Sequence, residues 1–296
     1  MPNPDTPSSS TTDLHEVRAA KSVAPLMLLV WGIGLGTIVA VRYRSGYDFY
    51  ISFHRWLSTN GVPDSVRSFD SLIWLTAAAL IGALMVRLQV ARPITELLCL
   101  RRGLRGWAGM VPAALAPMVL GGLLLGLSRG TFDVGFADWA PTLAPGVIRA
   151  PWMEEILFRG LLVAIPGYLL AWRGGHFWLN AILSSLLFGV THIRWSAEGL
   201  ASGWPALLVT AIGGIWYSWL LLQWRSIWVP MVLHAGMNLG WAMAAARGGA
   251  GGGGWLENTL RVATIAIATF WTIRAARRRK ISPADSFKPH DFAPSA

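Results

Sequence analysis

Pro151-Trp152-Met153-Glu154-Glu155-Ile156-Leu157-Phe158-Arg159-Gly160 sets two carboxylates and a guanidinium inside an apolar run of roughly 146–171. A helix of roughly 20 mostly apolar residues crosses a hydrocarbon layer about 30 Å thick, and this run is long enough. An ionised side chain at the centre of such a helix costs about 2.5–3.5 kcal/mol on insertion scales, so groups of this kind usually face a cavity and serve a function. The spacing separates the two acids. At about 100° per residue, Glu155 and Arg159 share a face as an i, i+4 pair, and Glu154 falls off that line. An internal ion pair therefore accounts for Glu155 and leaves Glu154 projecting into the bundle.

Seven further apolar runs surround this one, at roughly 25–41, 71–90, 108–127, 176–193, 204–223, 226–246 and 258–273. The 296-residue chain is 54% hydrophobic and 14% charged, with a mean hydropathy of +0.47, so water is not its main solvent. Lipid cannot satisfy free backbone N–H and C=O groups, and the period-two alternation of a barrel is absent; the runs are helices. The fold expected is all-α, a polytopic transmembrane bundle of about eight spans. Residues 1–22, rich in Pro, Ser and Thr and lacking the basic start of a signal peptide, read as a disordered tail before an uncleaved first span. Residues 23–145 read as scaffold helices, 146–246 as the functional core, and 247–257 as a glycine-rich linker. The last helix with its basic juxtamembrane segment then occupies 258–280, and a second disordered tail 281–296. No Gly-x-Gly-x-x-Gly of the glycine-rich stretch follows a strand and no Lys-Ser/Thr closes it, so it does not read as a phosphate loop.

The net charge of +10 raises nucleic acid as a partner, but the basic residues segregate by membrane side instead of forming one aromatic-interleaved patch. With the N-terminus inside, fifteen Lys and Arg fall in inside segments and seven outside, which favours two cytoplasmic termini in a bacterial plasma membrane. The single cysteine, Cys99, offers neither a disulfide nor a zinc or redox pair. Most of the seventeen tryptophans sit near span ends, where amphipathic rings favour the interface.

Two more runs carry polar groups. Phe188-Gly189-Val190-Thr191-His192 closes the fifth, with Phe188 one turn before His192. Val232-Leu233-His234-Ala235-Gly236-Met237-Asn238 lies in the seventh, where His234 and Asn238 share a face and the small Ala235 and Gly236 permit close helix approach. Taken singly, each His or Asn is explained by interhelical hydrogen bonding, and Phe188 by packing. Taken together they leave too many ionisable groups for a purely structural explanation.

The set Glu-Glu-x-x-x-Arg, Phe-x-x-x-His and His-x-x-x-Asn resembles the CPBP family, the CAAX-protease and bacteriocin-processing (Abi) family of glutamic intramembrane endopeptidases. The motifs are Glu154, Glu155 and Arg159; Phe188 and His192; His234 and Asn238, over about 146–246. The resemblance implies that Glu154 and His192 activate water and that His234 and Asn238 stabilise the oxyanion, with Glu155, Arg159 and Phe188 in support. This agrees with the chemistry of the residues, since desolvation makes a carboxylate a stronger base and oriented donors stabilise an oxyanion. No cofactor is expected. The alternative is zinc, held by Glu154, His192 and His234, although the His-Glu-x-x-His helix typical of such sites is absent.

With cytoplasmic termini, Glu154, His192 and Asn238 fall at one level in the outer half of the membrane. That placement suits an exported protein bearing a C-terminal anchor better than a prenylated CAAX-like tail presented from the cytosol. The partners expected are a membrane-associated protein substrate and the bilayer. Two other readings stand beside the enzyme: a non-catalytic immunity or partner-binding protein, and a proton-coupled transporter, for which no inverted repeat speaks.

Overall fold

The computed structural model describes residues 52, 55, 56, 58–61, 94–100, 107–132, 144–169, 175–193, 197–244 and 254–279. The expected spans at 25–41 and 71–90, both tails and residues 247–253 of the glycine-rich segment lie outside the described residues. The described elements are all helical, without strands. They are α1 (Ile94–Leu97), α2 (Met110–Ser128), a mixed helical rod over 144–169, α5 (Gly175–Val190), α6 (Ala197–Trp224), α7 (Trp228–Ala244) and α8 (Trp255–Arg279). The rod consists of π-helix π1 (Ala144–Arg149), α3 (Ala150–Glu155), π-helix π2 (Ile156–Ala164) and α4 (Ile165–Leu169).

Among the described residues, large apolar side chains lie exposed while several charged and polar ones are buried. Leu120, Leu124 and Leu127 on α2, and Leu179, Leu183 and Leu186 on α5, recur at helical spacing and are exposed. Glu155, Arg159, Asn180, Ser184, Ser185, Ser218 and His234 are buried. Water would reverse this distribution; hydrocarbon favours it. Among the described residues, Met110–Ser128 and Ala201–Trp224 are long and apolar enough to cross a membrane, and Gly175–Val190 is a shorter apolar helix.

Helices α2 and α7 meet backbone to backbone. A Cβ on Gly122 would lie 2.2 Å from the Gly240 carbonyl oxygen, one on Gly126 2.2 Å from that of Met243, and one on Gly240 2.3 Å from that of Met118. Gly122 and Gly126 on α2, and Gly236 and Gly240 on α7, form two Gly-xxx-Gly stripes that meet at the Gly122–Gly240 pair, which brings the backbones close where lipid offers no hydrophobic drive. Beside the seam, Met110, Ala114 and Met118 pack with Leu220, Leu233 and Met237 into the largest core cluster. Arg129 closes one end, donating to the Ala244 carbonyl at 2.7 Å and pairing with Glu257 at the start of α8.

Where the sequence predicts one α-helix, the rod is π-helical over Ile156–Ala164. The neighbouring α5 shows why the wider turn is tolerated. Asn180 Nδ2 donates to the Leu162 carbonyl at 2.6 Å and Ser184 Oγ to that of Phe158 at 2.7 Å, so donors one turn apart serve acceptors one turn apart across the interface. Turns of π-helix are rare and are frequently found at functional sites.

Candidate active site

The rod presents its two acids differently. Glu155 is fully buried, with Arg159 NH1 at 3.2 Å from its Oε1, the i, i+4 pair expected from the spacing. The Glu154 side chain remains 28% exposed. Room for the guanidinium comes from a glycine, since a Cβ on Gly214 of α6 would lie 3.0 Å from Arg159 NH2 and 2.8 Å from Ser185 Cβ. The guanidinium also lies 4.3 Å from the Phe188 ring centroid and 5.2 Å from that of Tyr217, so two aromatic faces share its charge with Glu155.

His234 of α7 sits between the acids. Its Nδ1 is 2.9 Å from Glu155 Oε1 and its Nε2 is 3.7 Å from Glu154 Oε2. The first is a hydrogen bond in which Nδ1–H donates, because Glu155 also faces the guanidinium and acts as acceptor. The second exceeds hydrogen-bond length and suits a bridging water. Tyr217 stacks on the imidazole, with ring centroids 5.3 Å apart and planes 24° apart, and Phe188 meets it edge-on at 6.1 Å.

His192 lies just past the end of α5 and is exposed. Its Nδ1 is 2.8 Å from the Phe188 carbonyl and 3.3 Å from Thr191 Oγ1, and its ring meets that of Phe188 at 4.6 Å. A carbonyl only accepts, so Nδ1 carries a proton and donates it to the Phe188 oxygen. Asn238 Nδ2 donates to the Gly146 carbonyl at 3.1 Å, which spends one of its two N–H groups on tying α7 to π1.

Glu154, Glu155, Arg159 and His234 thus form one connected polar group, which His192 joins through the Phe188 ring. Asn238 lies one turn along α7 from His234. Tyr217 escapes sequence reasoning: a tyrosine in a tryptophan-rich apolar span has no spacing to mark it, and only its place between His234 and Arg159 reveals it. The hydrogen bond from His234 to Glu155 was equally hidden, because it joins residues 79 apart in sequence.

Residues 136–240 match the family described as type II CAAX prenyl endopeptidase Rce1-like. The chain therefore carries a CPBP-type, Rce1-like protease domain. That domain spans π1, α3, π2, α4, α5, α6 and most of α7, and so includes every residue of the polar group. The Rce1-like proteins are integral membrane proteases of helical build acting on membrane-associated protein substrates, in keeping with the apolar exterior. Neither a curated protein nor a solved structure matches the chain.

The fit to a metal is poor. Among the described residues no three His, Cys, Asp or Glu side chains gather so as to hold a metal ion. His234 already spends Nδ1 on Glu155, whose Oε1 also faces Arg159.

Proposed function

We propose that this chain is an intramembrane endopeptidase of the glutamic type. It hydrolyses a peptide bond of a membrane-associated protein with water activated by Glu154 and His192. The observation that carries this reading is the 3.7 Å gap between Glu154 Oε2 and His234 Nε2, beside an acid already neutralised by Arg159. Glu154, half-buried, removes a proton from water held in that gap, and His192 takes part in the proton transfer.

His234 and Asn238 face the oxyanion that forms on the scissile carbonyl. Asn238 contributes the N–H not used on Gly146. Donors so placed lower a barrier by about 2.7–4 kcal/mol each in well-studied hydrolases.

The domain is embedded in about eight spans with both termini cytoplasmic in a bacterial inner membrane. Spans one to three serve as scaffold, and the chamber opens to the exterior. The substrate is an exported protein with a C-terminal anchor in preference to a prenylated CAAX-like tail. Mass spectrometry of membranes from cells expressing the wild type or Glu154→Gln tests this. Fragments ending at one sequence context, present only with the wild type and unaffected by a zinc chelator, are expected. Identical fragment profiles would contradict the enzyme, and loss of cleavage on chelation, restored by zinc, would replace the glutamic mechanism by a metal one.

A further inference from the structure

Tyr217 stands outside the three sequence motifs, yet it touches both ends of the polar group. It is 4% exposed on α6, its ring stacked on His234 at 5.3 Å and 24°, with the Arg159 guanidinium carbon 5.2 Å from its centroid. These are the separations of offset aromatic pairs and of cations held over a ring. Three residues earlier, Gly214 leaves the notch that receives the guanidinium. Gly214, Tyr217 and Ser218 share one stripe of α6 at i, i+3 and i+4, and Ser218 Oγ donates back to the Gly214 carbonyl at 3.0 Å. Helix α6 therefore presents a notch to Arg159 and a flat plate to His234.

The imidazole needs the plate. Its hydrogen bond from Nδ1–H to Glu155 Oε1 at 2.9 Å fixes one point of the ring and leaves the plane free to tilt about that bond. The distance from Nε2 to Glu154 Oε2 changes with the tilt, and with it the seat of the water between them. Phe188, edge-on at 6.1 Å, makes a looser contact than a parallel face. The plate is itself held. Trp216 Nε1 donates to Thr269 Oγ1 at 3.0 Å and Trp224 Nε1 to Thr272 Oγ1 at 2.9 Å, so indoles before and after Tyr217 bolt α6 to α8. Tyr217 also packs in the core cluster that contains Leu220 and Leu233. A residue that only filled space would need neither the near-parallel plane nor the cation.

We propose that Tyr217 is a positioning residue for hydrolysis, its ring face holding the His234 imidazole in the plane that aims Nε2 at the water beside Glu154. This rests on the endopeptidase reading. The face carries the role and the hydroxyl does not, so phenylalanine substitutes for tyrosine and an aliphatic side chain of similar reach does not.

The test uses the full chain in lipid nanodiscs with ¹⁵N-labelled histidine, and three variants: Tyr217→Phe, Tyr217→Leu and Tyr217→Met, the last an unbranched filler that adapts to irregular gaps if leucine prevents folding. The rate is that at which fragments specific to the wild type appear, per amount of folded protein on size-exclusion chromatography. Tyr217→Phe is expected to stay within about twofold of the wild type, and Tyr217→Leu and Tyr217→Met to fall by about 10–100-fold, the effect of a small misplacement of reacting groups. The ¹⁵N spectrum reads the ring directly. One sharp protonated Nδ1 signal of His234 is expected in the wild type and Tyr217→Phe, and a broadened or split one in the aliphatic variants. Wild-type rates in those variants overturn the proposal, as does a loss in Tyr217→Phe equal to theirs. A lost rate with the His234 signal still sharp also overturns it, because the residue would then act through packing alone. Fragments that persist in Glu154→Gln would remove the endopeptidase reading, and the ¹⁵N spectrum would still decide whether Tyr217 holds the ring.

Discussion

The two faces of α7 solve opposite problems. One face carries His234 and Asn238 toward a polar group that is costly to bury. The other carries Gly236 and Gly240 against α2, where nothing polar is buried and the backbones touch. On the glycine face the fold depends on shape, and any added atom collides with main chain. On the histidine face it depends on charge balance, and a removed atom leaves another group unpaired. One helix can serve both because the α-helical period keeps residues 234 and 238 on a different stripe from 236 and 240.

Substitutions should separate these faces in kind as well as in size. Glu154→Gln is expected to lower the cleavage rate by about 10²–10⁴-fold, the usual worth of a general base, with the thermal midpoint in nanodiscs unchanged. Arg159→Met should do the reverse first, lowering stability by about 3–5 kcal/mol in a denaturant titration, because the fully buried Glu155 is left with an uncompensated charge. A double change, Glu155→Gln with Arg159→Met, should recover much of that loss, since the charges leave together. Gly240→Leu should cost about 1–3 kcal/mol or prevent assembly, read as aggregation on size-exclusion chromatography, while Gly213→Ala, with open space around it, should be neutral.

The smallest effect lies at the rim. The Arg129 hydrogen bond holds the Glu257 carboxyl below its ordinary value of 4.5, the Glu257 backbone adding to it. A depressed carboxyl contributes stability that is fully present above the ordinary value and lost as pH falls through the lower folded one. The thermal midpoint of the wild type should therefore decline below about pH 4.5 more steeply than that of Glu257→Gln.

Both faces were partly legible beforehand, for different reasons. The runs 108–127, 226–246 and 258–273 anticipate Met110–Ser128, Trp228–Ala244 and Trp255–Arg279 closely, because hydrocarbon selects length and apolarity and both are local properties of sequence. The Glu155–Arg159 pair was legible because i, i+4 spacing is local too. The π-helical turns were not: hydropathy does not distinguish 3.6 from a wider period, and the donors that serve the Phe158 and Leu162 carbonyls come from another helix. Tyr217 was invisible beside His234 and Arg159 for the same reason, since its meaning lies in which helix it faces. Gly236 was read as permitting close approach, but the Leu115 side chain it makes room for needed the fold.

The water between Glu154 and His234 decides the account. A density map of the protein in a lipid nanodisc, at a resolution that shows ordered water, is expected to place one water within about 3.2 Å of both Glu154 Oε2 and His234 Nε2, with His234 Nδ1 still on Glu155. Glu154 turned outward with no water beside His234, or a tetrahedral ion in its place, would contradict it.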